Sequence, residues 1–350
     1  MNRSYDAIDE AYAIFARTGP DFGGGLSNHG PMASEALAAM GRADAILKWA
    51  HRYATRLEPH PSAAARISAT DWRGALGKEP RVADWIAHFN EALKEAPWRA
   101  VLDTWVARLA PGIAAAAFHG VLRTAHAARA LGDRETPQRI RELAEGLGYW
   151  AATYQPLPGS FDGPHDALPS RAIDRVERMP PALRKVGGFL TDGIAQLPNF
   201  APFNEVLAIV DTRGDLFAFL TDLTETFARV YVTNAKGVGG AIAFIHCVTG
   251  SRAVRNLAPY IDDGTARAAA RYAWQASAGL YAAFGVAAPA RDDSSMNTPC
   301  VDDLIDRALA SADEHAIKFT EACVGEHALN PQPVYLAAAA HAIGILPPLK

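Results

Sequence analysis

The sequence predicts an all-α protein, a multi-layer bundle of helices in a single large domain, residues 1–350. Three observations carry that expectation. Apolar residues recur with the 3.6-residue period of an amphipathic helix over most of the chain. The period-2 alternation of a half-buried strand is nearly absent. Clusters of Gly, Pro, Ser and Asp punctuate the apolar runs at helix-length intervals, as connections in a bundle do. With 350 residues, 49% apolar and 21% charged, the chain is long enough to bury a sizeable core.

The elements follow in order. Residues 5–17 form a first helix, stopped by Thr18-Gly19-Pro20. The Gly-rich stretch 22–31 is a loop; it lacks the GK[ST] ending and preceding strand of a phosphate-binding loop. Helices over 32–40 and 42–57 come next, the second carrying Trp49, His51 and Tyr53. A Pro/His/Ala connector, 58–65, leads to short helical pieces at 71–76 and 80–94. An amphipathic helix over 98–110 passes through Pro111-Gly112 into the stretch Phe118–Arg129, around which the chain is organised. There His119 and His126 lie seven residues apart and so project from nearly one helix face, with Arg123 between them. A helix over 138–154 follows, then a Pro/Gly-rich stretch, about 155–181, expected as a long surface loop or lid connecting two halves. The remaining helices are expected at 203–212, 215–234, 241–249 (entered through Gly237-Val238-Gly239-Gly240), 252–260, 265–284, 301–323 and 332–345.

Charge and cysteine usage narrow the function classes. A net charge of -4 gives no electrostatic footprint for nucleic acid, and no Lys/Arg run marks a membrane surface. No apolar run reaches the roughly 18 residues of a spanning helix. Asp6, Asp9 and Glu10 stand where a signal peptide would be uncharged. Three widely spaced cysteines, Cys247, Cys300 and Cys323, suit a reducing cytoplasm and form no CxxC pair. The expectation is a cytoplasmic protein without nucleic-acid or membrane partners.

Ten of the eleven histidines, all but His341, divide into two groups. His51, His60, His88, His165 and His327 fall on outward-looking helix faces or loops. His29, His119, His126, His246 and His315 sit among small or apolar neighbours. A buried imidazole needs a partner, either hydrogen bonds or a metal, and spacing alone leaves both open. Neutral imidazole suits iron, zinc and copper, but no HExxH motif is present. Lys318 lies one turn after His315. Its ordinary role is a surface pair with Glu314 or Glu321; buried beside a metal it could be neutral and take up carbon dioxide as a carbamate. No GxSxG elbow accompanies Cys247, and no GxGxxG follows a strand.

Several stretches together resemble the questin oxidase-like family: Asn28-His29-Gly30-Pro31-Met32 with Glu35-Ala36-Leu37, His119-Gly120-Val121-Leu122-Arg123-Thr124-Ala125-His126, Tyr149-Trp150-Ala151-Ala152, Phe244-Ile245-His246-Cys247-Val248-Thr249 and His315-Ala316-Ile317-Lys318. They occur in that family's order, from about residue 22 to 320. The family is helical and includes fungal enzymes that oxidatively open anthraquinone rings, in some cases described as Baeyer–Villiger-type oxidations. The resemblance implies non-haem iron held by histidines and a carbamylated lysine. The matching positions are His29, His119, His126, His246 and Lys318, with His315 beside the last. Arg123, Glu35 and His315, and also Tyr154, become candidates for orienting ligands or touching substrate. The implied partners are dioxygen and an aromatic, polyketide-like quinone or hydroquinone, with NADPH as candidate reductant and a homodimer as candidate assembly. Trp72, Trp105, Trp150, Trp274, Tyr272 and Tyr281 could line a pocket for a flat substrate, although core packing is their ordinary role. Two rival classes stay in view: a metal-dependent hydrolase, and a non-catalytic helical ligand-binding protein.

Overall fold

The helical expectation holds. In the computed structural model the described residues (5–349 except 69, 185–188, 293–295 and 297) are organised as helices, with one two-stranded hairpin of two residues per strand. The chain divides into two units: residues 1–155 with 256–265, and residues 156–255 with 266–350.

The first unit begins with α1 (Asp6–Phe15) and the hairpin β1 (Asp21–Phe22) to β2 (Leu26–Ser27). Gly23, Gly24 and Gly25 turn that hairpin with φ of 58, 78 and 126°, which a side chain would resist. Next come α2 (Gly30–Ala39), α3 (Ala43–Ala54), α4 (Val82–Glu95), α5 (Trp98–Leu109), α6 (His119–Asp133) and α7 (Pro137–Ala152). The expected piece at 71–76 is a 3-10 turn, Trp72–Ala75. α6 packs on α7 and α2, and α7 also packs on α4. Glycines set how close these helices come. A Cβ on Gly120 would lie 2.6 Å from the Trp150 Cα, and one on Gly146 would lie 2.8 Å from the Thr124 backbone nitrogen. Backbone therefore meets backbone across α6 and α7, and nearly all of α6 is buried.

The second unit holds α8 (Pro169–Ala172), α9 (Leu190–Ile194), α10 (Leu216–Asn234), most of α11 (Gly237–Leu257) and of α12 (Asp263–Phe284), α13 (Val301–Ser311), α14 (Glu314–Leu329) and α15 (Pro333–Ile345). α15 packs against α10, α13 and α14.

Four boundaries depart from the sequence expectation. The helix expected over 301–323 is broken: Ala312 is left-handed (φ 55°), and Asp313 caps a new helix by accepting from the backbone N–H of His315 and Ala316. The helices expected at 241–249 and 252–260 are one helix, α11, which runs through Gly250-Ser251 because a single glycine costs a helix only about 1 kcal/mol; a 3-10 turn, Ala258–Tyr260, follows. The piece at 203–212 is a 3-10 run, Ala201–Ala208. The 155–181 stretch is irregular to residue 168, and there it is stitched to 204–211. Ser160 donates to Asn204 O, His165 to Ala208 O, and Asp211 to Ala167 O, each 2.9 Å.

Candidate metal-binding histidines

His29 is set by its own motif. It caps α2, and Asn28 folds over the turn, accepting from the Gly30 N–H while donating to Thr18 Oγ1 and Gly19 O. A Cβ at Gly30 would overlap the Phe15 ring at 2.3 Å, so only glycine fits beside this histidine. His119 opens α6 directly after Ala116, Ala117 and Phe118, three consecutive left-handed residues with φ of 44, 54 and 69°. That turn presents the Ala116 carbonyl to His119, which donates Nδ1–H to it at 2.5 Å. The two rings then stack, with His29 Nε2 and His119 Nε2 2.6 Å apart. Two lone pairs cannot face one another at that distance; a proton or a cation must lie between them.

About two turns on, His126 donates Nδ1–H to Glu35 Oε2 at 2.6 Å. Glu35 is fully buried and also accepts from Arg129 Nε at 2.7 Å and the Tyr5 hydroxyl at 3.0 Å. Burial alone would raise its pKa, but the Arg129 charge and the hydrogen bonds from His126 and Arg129 win and hold it at about 2. Glu35 is thus the orienting carboxylate for His126.

In the second unit, His246 donates Nδ1–H to the Ile242 carbonyl at 2.7 Å, one turn back along α11. Its ring meets His315 edge to face, with centroids 5.6 Å apart. Burial, and then the charge of Lys318, push the His246 pKa down to about 3, so the imidazole is neutral. Lys318 is only 2% exposed, not the surface lysine of its ordinary role. Burial lowers its ammonium to about 8 against the opposing pull of Glu314 and Asp313. Asp313, Glu314 and His315 each offer one ligand atom mutually within 4.8 Å. Burial and Glu314 raise Asp313 to about 6.

The other expected residues have different employment. Arg123 turns to α7, where Nε and Nη2 bind both Glu142 oxygens at 2.5 and 2.9 Å. Trp150 and Trp274 spend their indole N–H groups on the carbonyls of Gly112 and Val206, as core residues do. Trp72 and Trp105 stack edge to face with each other. Tyr154 covers Gly112. Of the five outward-looking histidines, only His51 is exposed; His60 reaches Glu145. Three charged partners, Arg129, Glu142 and Glu145, are not among the residues the sequence singles out. The available signal was helical spacing: Arg129 falls three residues after His126, and Glu142 and Glu145 share a face of α7.

The donor set suits a transition metal. His119, His126 and His246 each commit Nδ1 to a carbonyl or carboxylate, which leaves Nε2 as the lone-pair nitrogen, the tautomer that metal-ligating histidines use. No helix is long and apolar enough to cross a membrane among the described residues. No family model matches the chain, and no curated protein matches it.

Proposed function

We propose that this protein is a non-haem iron-dependent oxygenase or oxidase that acts with dioxygen on an electron-rich aromatic substrate, a quinone or hydroquinone of polyketide type, opening the ring. The observation that carries the metal is the shared hydrogen-bonding pattern of His119, His126 and His246. The substrate class rests on the resemblance of the His-containing segments to the questin oxidase-like family.

His29, His119 and His126 in the first unit, and His246 and Lys318 in the second, are the candidate ligands. Iron bound there would supply redox chemistry with dioxygen. The chain's own contribution is orientation. Glu35 keeps the proton on His126 Nδ1 and is itself fixed by Arg129 and Tyr5. The carbonyls of Ala116 and Ile242 keep the corresponding protons on His119 and His246. Lys318, with a pKa of about 8, is neutral in about a tenth of molecules at pH 7. A neutral amine adds to carbon dioxide through its nitrogen and loses a proton, giving a carbamate with anionic oxygens. His315, beside Lys318 in sequence and against His246 in space, is placed to position that pair.

The test is metal content by inductively coupled plasma mass spectrometry on tag-free protein purified without chelator. About one iron per chain is expected. His119→Ala and His126→Ala ask whether the first unit's imidazoles bind it; His246→Ala and Lys318→Met ask the same of the second. Zinc in place of iron would favour hydrolysis by a metal-bound water. No metal in wild type would overturn the proposal and favour a helical binding protein whose histidines are hydrogen-bonded core residues.

A further inference from the structure

A second buried ionic cluster lies in the first unit, apart from the histidines above. Arg123, Glu142 and Glu145 are 1, 4 and 3% exposed. Arg123 gives Nε and Nη2 to Glu142 and approaches Glu145 Oε2 only to 3.6 Å. One guanidinium therefore faces two buried carboxylates, and an uncompensated buried charge is costly. The partner on the far side of Glu145 is His60, whose Nε2 lies 3.0 Å from Glu145 Oε1. The other ring nitrogen, Nδ1, lies 2.7 Å from the Pro61 carbonyl, which can only accept. A neutral imidazole has one N–H, so serving both a carbonyl and a carboxylate takes the imidazolium. With it, two cations balance two carboxylates.

His60 belongs to a stretch, residues 58–68, without a helix or strand of its own. Its other ties include backbone bonds from Gly19 to Glu58 O and from His60 to Arg17 O, the Gly23 N–H donating to the Glu58 carboxylate, Asp84 accepting from the Ala64 and Ala65 N–H groups, and Arg81 donating to the Ala65 and Arg66 carbonyls. Beyond His60 this stretch walls a groove of about 690 Å³ whose other side is α4, lined by Ala63–Ser68, Ala87, His88, Glu91 and Ala92 among others.

We propose that His60 is a proton-operated clasp. As an imidazolium bound to Glu145 it holds residues 58–66 on α7, and its deprotonation releases this wall of the groove. The charged groups that face it are Glu145 from α7 and, behind that, Arg123 from α6; its own segment offers only the Pro61 carbonyl. The hydrogen bond to Glu145 raises the His60 pKa above its ordinary value, outweighing burial and Arg123. A raised histidine pKa makes the clasp fully present below about pH 6.5 and lost as pH rises through the higher folded value.

Hydrogen exchange of the peptide covering 58–66 in the full chain, corrected for intrinsic rate and compared at pH 6 and pH 8.5, tests this. Protection in wild type should fall across that range, and should not change with pH in His60→Gln, which keeps a hydrogen-bonding side chain without a titrating charge. An NMR titration of wild type should place the His60 midpoint above about 6.5, with a return toward that value in Glu145→Gln. Protection that is constant with pH in wild type would overturn the proposal. So would a pH dependence that persists in His60→Gln, or a His60 midpoint at or below the free value. The wild-type titration decides the matter even if a variant does not fold.

Discussion

At the residue scale, the informative side chains are buried ones whose charge the fold must manage. Glu35 is managed by Arg129, Tyr5 and His126, and stays ionised. Lys318 is managed less completely, since burial outweighs the attraction of Glu314 and Asp313 and its ammonium is disfavoured. The linkage has a definite sign. The unfolded lysine, with a pKa of about 10.4, binds more protons than the folded one between about pH 8 and 10.4, so stability rises with pH across that window. In metal-free protein, Lys318→Met should therefore be more stable than wild type at pH 7, on the order of 3 kcal/mol. The advantage should shrink to the packing difference by about pH 10.5. Urea unfolding at pH 7, 9 and 10.5 measures this; a difference that does not vary with pH would show that the ammonium is solvated after all.

At the element scale, α6 is fixed from both ends of its structural logic. Its entry is strained, with Ala116, Ala117 and Phe118 all left-handed, where an L side chain costs roughly 1–2 kcal/mol per residue. That strain positions the carbonyl that orients His119. Its packing face is tight, because α7 approaches through Gly146. These features predict opposite outcomes for two substitutions. Ala117→Gly relieves a left-handed conformation and should raise stability by about 1 kcal/mol. Gly146→Ala improves helix propensity but sets a methyl 2.8 Å from the Thr124 nitrogen, so it should lose about 1–3 kcal/mol. Thermal unfolding of both variants checks the pair; equal shifts of one sign would refute the packing argument.

At the scale of the whole molecule, a bound metal should stabilise the folded chain by mass action. Ferrous iron at 100 times its dissociation constant adds about 2.7 kcal/mol. A rise in melting temperature under anaerobic conditions, abolished in His126→Ala, is the expected result. An unchanged melting temperature with iron present would count against the histidines as ligands. The second unit shows how much of the architecture was legible. α10, α12 and α15 begin within two residues of where periodicity put them, because each has a continuous apolar face and a clear stop. Periodicity alone runs α13 and α14 together, because the apolar pattern continues through Ala312. The signal that separates them is one capping residue, Asp313, which periodicity does not weigh.

The sequence by itself determined the helical class, most helix spans and the small-residue settings of His29, His119, His126 and His246. These are local properties, written in periodicity, capping and glycine placement over ten to twenty residues. Tertiary structure alone decided the partners. That His126 answers to Glu35, Arg123 to Glu142, and His60 to Glu145 depends on pairs separated by 91, 19 and 85 residues. Which carboxylate meets which cation is fixed by how helices pack, and the cost of burying an unpaired charge makes those long-range pairings specific.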